Sequence, residues 1–139
     1  MNIVVFGGAG VLGRAIASTL REGGHTVTTA GRTGCDVAVD FRFDTTPEAF
    51  TDLLRGVHIV VNAVGLLIER GDNRFASAHV QAPTALFAAC AKARVARIVH
   101  ISALGVGTGI PGAYMASKLA ANPTSDTWPN SSRLSGVSA

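Results

Sequence analysis

Aromatic side chains are scarce in this chain, at 6% of 139 residues, and its basic residues never gather into a stripe. The closest cations are Lys92, Arg94 and Arg97. A nucleic-acid face needs a dense basic surface interleaved with stacking aromatics, so a formal charge of +3 does not point to one. Cysteine is equally sparse: Cys35 and Cys90 stand far apart, at no metal or redox spacing. They read as small buried apolar residues of a protein in a reducing cytoplasm. His25, His58, His79 and His100 are isolated from one another, which argues against a metal site. Long apolar runs are missing too. The longest, residues 57–68, is interrupted by His58 and Asn62 and falls short of the ~20 residues that span a bilayer. No basic segment precedes the first apolar run, so the N-terminus does not read as a signal peptide.

What is present describes one folded domain: 47% hydrophobic residues against 15% charged. Ile3 to Phe6 is apolar throughout and rich in β-branched residues, as in a strand buried on both faces. Val11 to Glu22 carries apolar residues at a helical period and ends at Gly23-Gly24. A second strand is expected over residues 25–30 and a short third over 36–41. A helix is expected from Thr46-Pro47 to about Arg55, with Thr46 as its capping hydroxyl and Pro47 in its first turn. A fourth strand is expected over 57–63, a long alanine-rich helix over 73–93 that Pro83 should kink or split, and a fifth strand over 97–102. Apolar strands alternating with helices predict an α/β fold, a doubly wound parallel sheet of order 3-2-1-4-5 lacking the later strands. Residues 1–122 would form this incomplete domain. The last 17 residues, PTSDTWPNSSRLSGVSA, hold seven Ser or Thr and no apolar period, and read as a disordered or non-native tail.

Between the first strand and helix lies GGAGVLG, with Gly7, Gly10 and Gly13 three apart. A lone glycine triplet is weak, but this one follows a buried strand and opens an amphipathic helix. Gly7 suits a tight turn, Gly10 lets the backbone approach a pyrophosphate, and Gly13 lets the helix pack closely. The helix N-terminus adds unpaired N–H donors. Val11, Leu12 and Arg14 join the glycines as candidate cofactor contacts. The second strand ends Thr28-Thr29-Ala30-Gly31-Arg32, without the acid that accepts ribose hydroxyls in NAD-selective sites. Arg32, with Arg14 as a second charge, could instead pair with a 2′-phosphate, so NADP is expected over NAD.

The glycine spacing, Asp40 after the third strand, VVNAVG (60–65), RIVHISALG (97–105) and YMASK (114–118) together resemble the short-chain dehydrogenase/reductase superfamily in its extended or atypical branch. The run from VVNAVG to HISALG is similar to the NADPH-binding accessory subunits of respiratory complex I and to bacterial epimerase/dehydratase-like proteins. The likeness spans about residues 1–122 and implies an NAD(P)-binding Rossmann domain. It implies that Asp40 lies near the adenine and that Asn62, Ala63 and Gly65 line the nicotinamide side. It further implies that Ser102 binds a substrate oxygen, Tyr114 moves the proton, and Lys118 binds the nicotinamide ribose. Tyr and Lys four apart share a helix face, and an ammonium there favours the phenolate.

The chain departs from the family where AHVQAPTALF places His79 at the position of a frequent Asn, and where Pro123 interrupts the Tyr/Lys helix. Its end reads as that of a truncated product or of a fragment of a longer protein. The implied activity is oxidation, reduction or epimerisation at a carbonyl or alcohol carbon, the substrate itself being unspecified. The alternatives are a non-catalytic NADP(H)-binding module and an inactive truncated chain. A homodimer, or association with a membrane-bound partner, fits the resemblance.

Overall fold

In the computed structural model, the described residues are 1–65 and 76–101, with residues 112, 116 and 120. Five strands form one parallel sheet: β1 (Asn2–Phe6), β2 (Thr26–Gly31), β3 (Val37–Ala38), β4 (Ile59–Asn62) and β5 (Arg97–His100). Their order is β3-β2-β1-β4-β5, as the sequence pattern predicts. Alternation along the central strands sends Ile3, Val5 and Val61 to one face, against Ala17, Ile16 and Leu20 of helix α1 (Val11–Glu22). Val4, Phe6 and Val60 point to the other face, against helix α2 (Ala82–Lys92) and a 3-10 turn at Pro47–Phe50. Each face of the sheet is thus covered, as strands apolar on both sides require. On the α2 face Phe6, Phe41 and Phe50 meet with ring centroids 5.8–6.0 Å apart, two of the three contacts edge to face.

Two elements differ from expectation, and a third is split as its proline predicts. β3 is two residues long because side chains take over its backbone partners. Asp36 reaches back to the N–H and hydroxyl of Thr29 at 2.8 and 2.9 Å, and from Asp40 onward the chain folds into a turn closed by Asp44. The stretch from Thr46 to Arg55 is no regular helix. Four residues are 3-10, a series of turns follows, and Thr46 makes no capping bond with its side chain. This stretch still sends Phe50 and Leu54, four apart, fully into the core. The long alanine-rich helix is divided at Pro83. Ala76–Gln81 is π-helical, and the α-helix begins at Ala82 with Pro83 in its first turn, where a missing N–H costs no helical bond. Cys90 is buried and Cys35 half-buried, both as free thiols. The expected start of that helix at 73, the tail 123–139 and most of the glycine-rich stretch 105–112 lie outside the described residues.

Candidate functional site

β1 ends at Phe6 beside β4, where the strand order reverses, the place in open α/β sheets where ligands bind at the carboxyl edge. The chain turns sharply there. Gly7 adopts φ +77° and donates to Ala30 O at 2.8 Å, and Gly10 N–H closes back on Gly7 O at 3.0 Å. The four glycines of this stretch do different jobs. A Cβ on Gly7 would stand 2.9 Å from the Ala63 carbonyl carbon, one on Gly8 2.6 Å from Thr29 Cβ, and one on Gly13 only 2.1 Å from Gly7 O. Those three positions are closed by the protein's own backbone and side chains. Gly10 is different: its nearest neighbour would be Gly7 O at 3.3 Å, and it borders open space. Gly10 caps α1 without a side chain, and no acid stands in the first helical turn. Such a helix start offers N–H groups and partial positive charge to an anion.

The space beside Gly10 is a cavity of about 350 Å³. Its walls come from the carboxyl ends of four strands: Gly7 to Gly10 after β1, Gly31 to Thr33 at the end of β2, Asp40 to Arg42 after β3, and Ala63 to Gly65 after β4. Gly7, Gly10, Arg32, Asp40, Ala63 and Gly65 are therefore brought together around one cavity. Val11 and Leu12, on the first turn of α1 and 93% and 44% exposed, are not among the residues that line it. Arg14 is placed elsewhere. Its guanidinium donates to Ala9 O at 3.0 Å, and it borders a separate cleft with Arg21 and Asp36 on the outer side of α1. Arg14, expected as a second charge beside Arg32, does not line the cavity itself; its guanidinium is held on the carbonyl of Ala9, a residue of the cavity wall.

A second arginine nonetheless faces the space. Arg42 donates through Nε to both oxygens of Asp40 at 2.9 Å, its Nη2 adds a further bond, and its guanidinium carbon lies 5.1 Å from the exposed Phe43 ring. This contact is the main reason the Asp40 carboxyl is held below its ordinary pKa. Burial opposes it, and the charges of Arg42 and Arg32 add to it. An acid two residues before an arginine at a strand end was the available signal for Arg42.

Asn62 is fully buried and does not itself line the cavity. Its Oδ1 accepts the Val64 N–H at 3.1 Å and its Nδ2 lies 3.1 Å from His100 Nδ1. The Val64 N–H can only donate, so the amide nitrogen must face His100, and Nδ1 of that imidazole accepts. His100, edge-on to Phe87 of α2 at 5.3 Å, thus orients Asn62. Asn62 in turn shapes the 63–65 bend that packs on Gly7. No sequence spacing links Asn62 to His100; they meet through the β4–β5 register. Ser102, Tyr114 and Lys118, and the side chain of His79, lie outside the described residues. Among the described residues, no group of His, Cys, Asp or Glu could hold a metal, and no helix is long and apolar enough to cross a membrane.

The model of the NAD dependent epimerase/dehydratase family matches residues 3–133. The chain belongs to this family. Among solved structures it is similar to the oxidoreductase YlbE from Lactococcus lactis, at 22% identity and a TM-score of 0.71, over 87% of this chain and 61% of that one. It is also similar to the UDP-N-acetylglucosamine 4-epimerase from Bacillus cereus, at 25% identity and TM-score 0.68, over 87% and 52%. A third is a short-chain dehydrogenase/reductase superfamily protein from Agrobacterium tumefaciens with bound NAD, at 24% and 0.70, over 87% and 43%. This family member thus spans roughly half the length of those structures. No match to it is found among curated proteins.

Proposed function

We propose that the chain forms the cofactor-binding part of an NAD(P)-dependent oxidoreductase or epimerase acting at a carbonyl or alcohol carbon, with NADP favoured over NAD. The observation that carries this reading is the cavity at the carboxyl edge, walled by four strand ends and opening at Gly10, where a side chain would fill the cradle. Family membership and the neighbour that holds NAD support the dinucleotide. When bound, the nicotinamide would supply a hydride acceptor or donor. The chain's own part is to hold the pyrophosphate on the Gly10 turn and the adenosine end against Arg32 and Asp40. The 63–65 bend would keep the opposite wall in place. The NADP preference rests on Arg32 in that wall, on the lack of acid in Thr28–Arg32, and on Asp40 being already engaged by Arg42. Ser102, Tyr114 and Lys118 are proposed, from the family resemblance, to bind the substrate oxygen, move the proton at the phenolic oxygen and hold the nicotinamide ribose.

A fluorescence titration tests the binding reading. NADPH should bind more tightly than NADH, and Gly10→Val should abolish both, because its branched side chain stands in the cradle without touching the core. Equal affinities would refute the NADP preference, and retained binding in the variant would refute the cradle. For the catalytic set, Tyr114→Phe should remove turnover and spare NADPH binding. Turnover that survives this change would remove Tyr114 from the proton step. NADPH binding with no turnover in the unsubstituted chain would favour a non-catalytic NADP(H)-binding module.

A further inference from the structure

Parallel neighbours in a sheet need a crossover of about a dozen residues or more, most often a helix. β2 and β3 are parallel, yet only residues 32–36 join them, and none of these is helical. Side chains make so short a return possible. Asp36 Oδ2 accepts the Thr29 N–H at 2.8 Å and the Thr29 hydroxyl at 2.9 Å, and the Asp36 N–H donates to that hydroxyl at 3.0 Å. Between these anchors the chain reverses through Gly34, at φ +67°. Cys35 lies so close to Gly31 that a Cβ there would stand 2.8 Å from its Sγ. Arg21 adds a bond to Asp36 Oδ2 at 3.1 Å, but both side chains are about half exposed, so this ion pair contributes little. The bonds from Thr29 are the main reason the Asp36 carboxyl lies below its ordinary pKa, and the acceptor stays ionised at neutral pH. This loop divides two spaces: Arg32 and Thr33 line the cavity, whereas Gly34 and Asp36 line the cleft on the outer side of α1.

We propose that Asp36 is a positioning residue for cofactor selectivity: its clasp on Thr29 takes the place of a crossover helix and holds Arg32 in the cavity wall. The inference rests on the NADP reading above, in which Arg32 receives the 2′-phosphate. Charge and position make opposite demands of Asp36. As a negative charge it can only disfavour a phosphate, so removing the charge alone would favour NADPH. As the anchor of the loop it fixes the guanidinium that receives the phosphate, so releasing the loop would disfavour NADPH. The sign of the effect therefore separates the two roles.

Titration of NADPH and NADH against variants of the clasp decides this. Asp36→Ala should weaken NADPH by roughly tenfold, the scale of one charge-assisted contact, with NADH changed much less. Asp36→Asn keeps a carbonyl oxygen for Thr29 and should retain most of the NADPH-to-NADH affinity ratio. Thr29→Val removes the hydroxyl but not the N–H, and should lower the ratio by less than Asp36→Ala does. A ratio that rises alike in Asp36→Ala and Asp36→Asn would make Asp36 a repelling charge and overturn the proposal. An unchanged ratio in Asp36→Ala, or equal loss of both nucleotides in the folded variant, would overturn it too. If Asp36→Ala does not fold, Thr29→Val decides alone, and an unchanged or raised ratio overturns it. Arg32→Ala separates this from the underlying reading. A wild-type preference for NADPH that disappears in Arg32→Ala but withstands Asp36→Ala would remove only the role of Asp36, whereas a wild type without that preference removes both.

Discussion

Gly10 and Asn62 serve the same cavity by opposite means. Gly10 contributes an absence: a Cβ there would meet only the Gly7 carbonyl, at 3.3 Å, and otherwise project into the cavity. Asn62 contributes a buried amide that never borders the cavity but ties β4 to its loop and to His100. The family resemblance implied Asn62 on the nicotinamide side; in the structure its amide holds the Val64 N–H, and Val64 borders the cavity. Asn62→Ala leaves the part-buried Val64 N–H without its acceptor, a loss of about 1 kcal/mol for a hydrogen bond. A lower melting temperature together with weaker NADPH binding is expected, since Ala63 and Gly65 would lose their fixed position. A folded Asn62→Ala protein with unaltered NADPH affinity would show that the bend does not depend on this amide.

At the scale of elements, the limits of α1 and the break at Pro83 were legible, whereas the left-handed turn that ends α2 and the brevity of β3 were not. α1 is bounded by Gly10 and the Gly23-Gly24 pair, with Gly24 at φ +84°, and its limits agree with the glycine pattern. α2 ends without a glycine. Arg94 takes φ +57° where the chain reverses, its N–H bonding to Ala91 O and the Val95 N–H to Cys90 O, the paired bonds of a Schellman motif. A side chain in the left-handed region is disfavoured, and only the docking of Val95 and the approach to β5 hold it there. Arg94→Gly is therefore expected to stabilise the protein by about 0.5–1 kcal/mol, read as a higher urea midpoint with unchanged slope. An unchanged or lower midpoint would mean that the arginine makes compensating contacts. β3 was over-extended in the sequence reading for a related reason: the alternation of Val37, Val39 and Phe41 continues past the strand, but Asp36 and Asp44 capture the backbone groups a ladder needs.

For the molecule as a whole, the two cysteines report separately on the surface and on the core. Cys90 lies fully buried on α2 in the larger core cluster, and burial pushes its thiol up to about 12. The thiolate is the reactive form, so Cys90 should resist a thiol reagent at neutral pH until the domain opens globally. Half-buried Cys35, on the loop between β2 and β3, should label in the native state. One rapidly labelled thiol per folded chain, and two in denaturant, is the expected count. Fast labelling of Cys90 in native buffer would mean that α2 separates from the sheet well below the global unfolding free energy.

The sequence by itself determined the sheet order, the buried faces and the position of the glycine turn. Each follows from local rules: apolar runs for strands covered on both sides, helical period for α1, and glycine where the backbone must turn tightly or be approached closely. Which charges meet around the cavity was decided only by the tertiary structure. Arg14 lies one residue past Gly13 and Arg42 two residues past Asp40, yet the first is tied to the Ala9 carbonyl and only the second lines the cavity, brought in by the turn after β3. The pairing of Asn62 with His100 likewise exists only because β4 and β5 lie in register. Spacing along a chain sets which residues share an element, but the direction of a side chain and its partner depend on how elements are laid against one another.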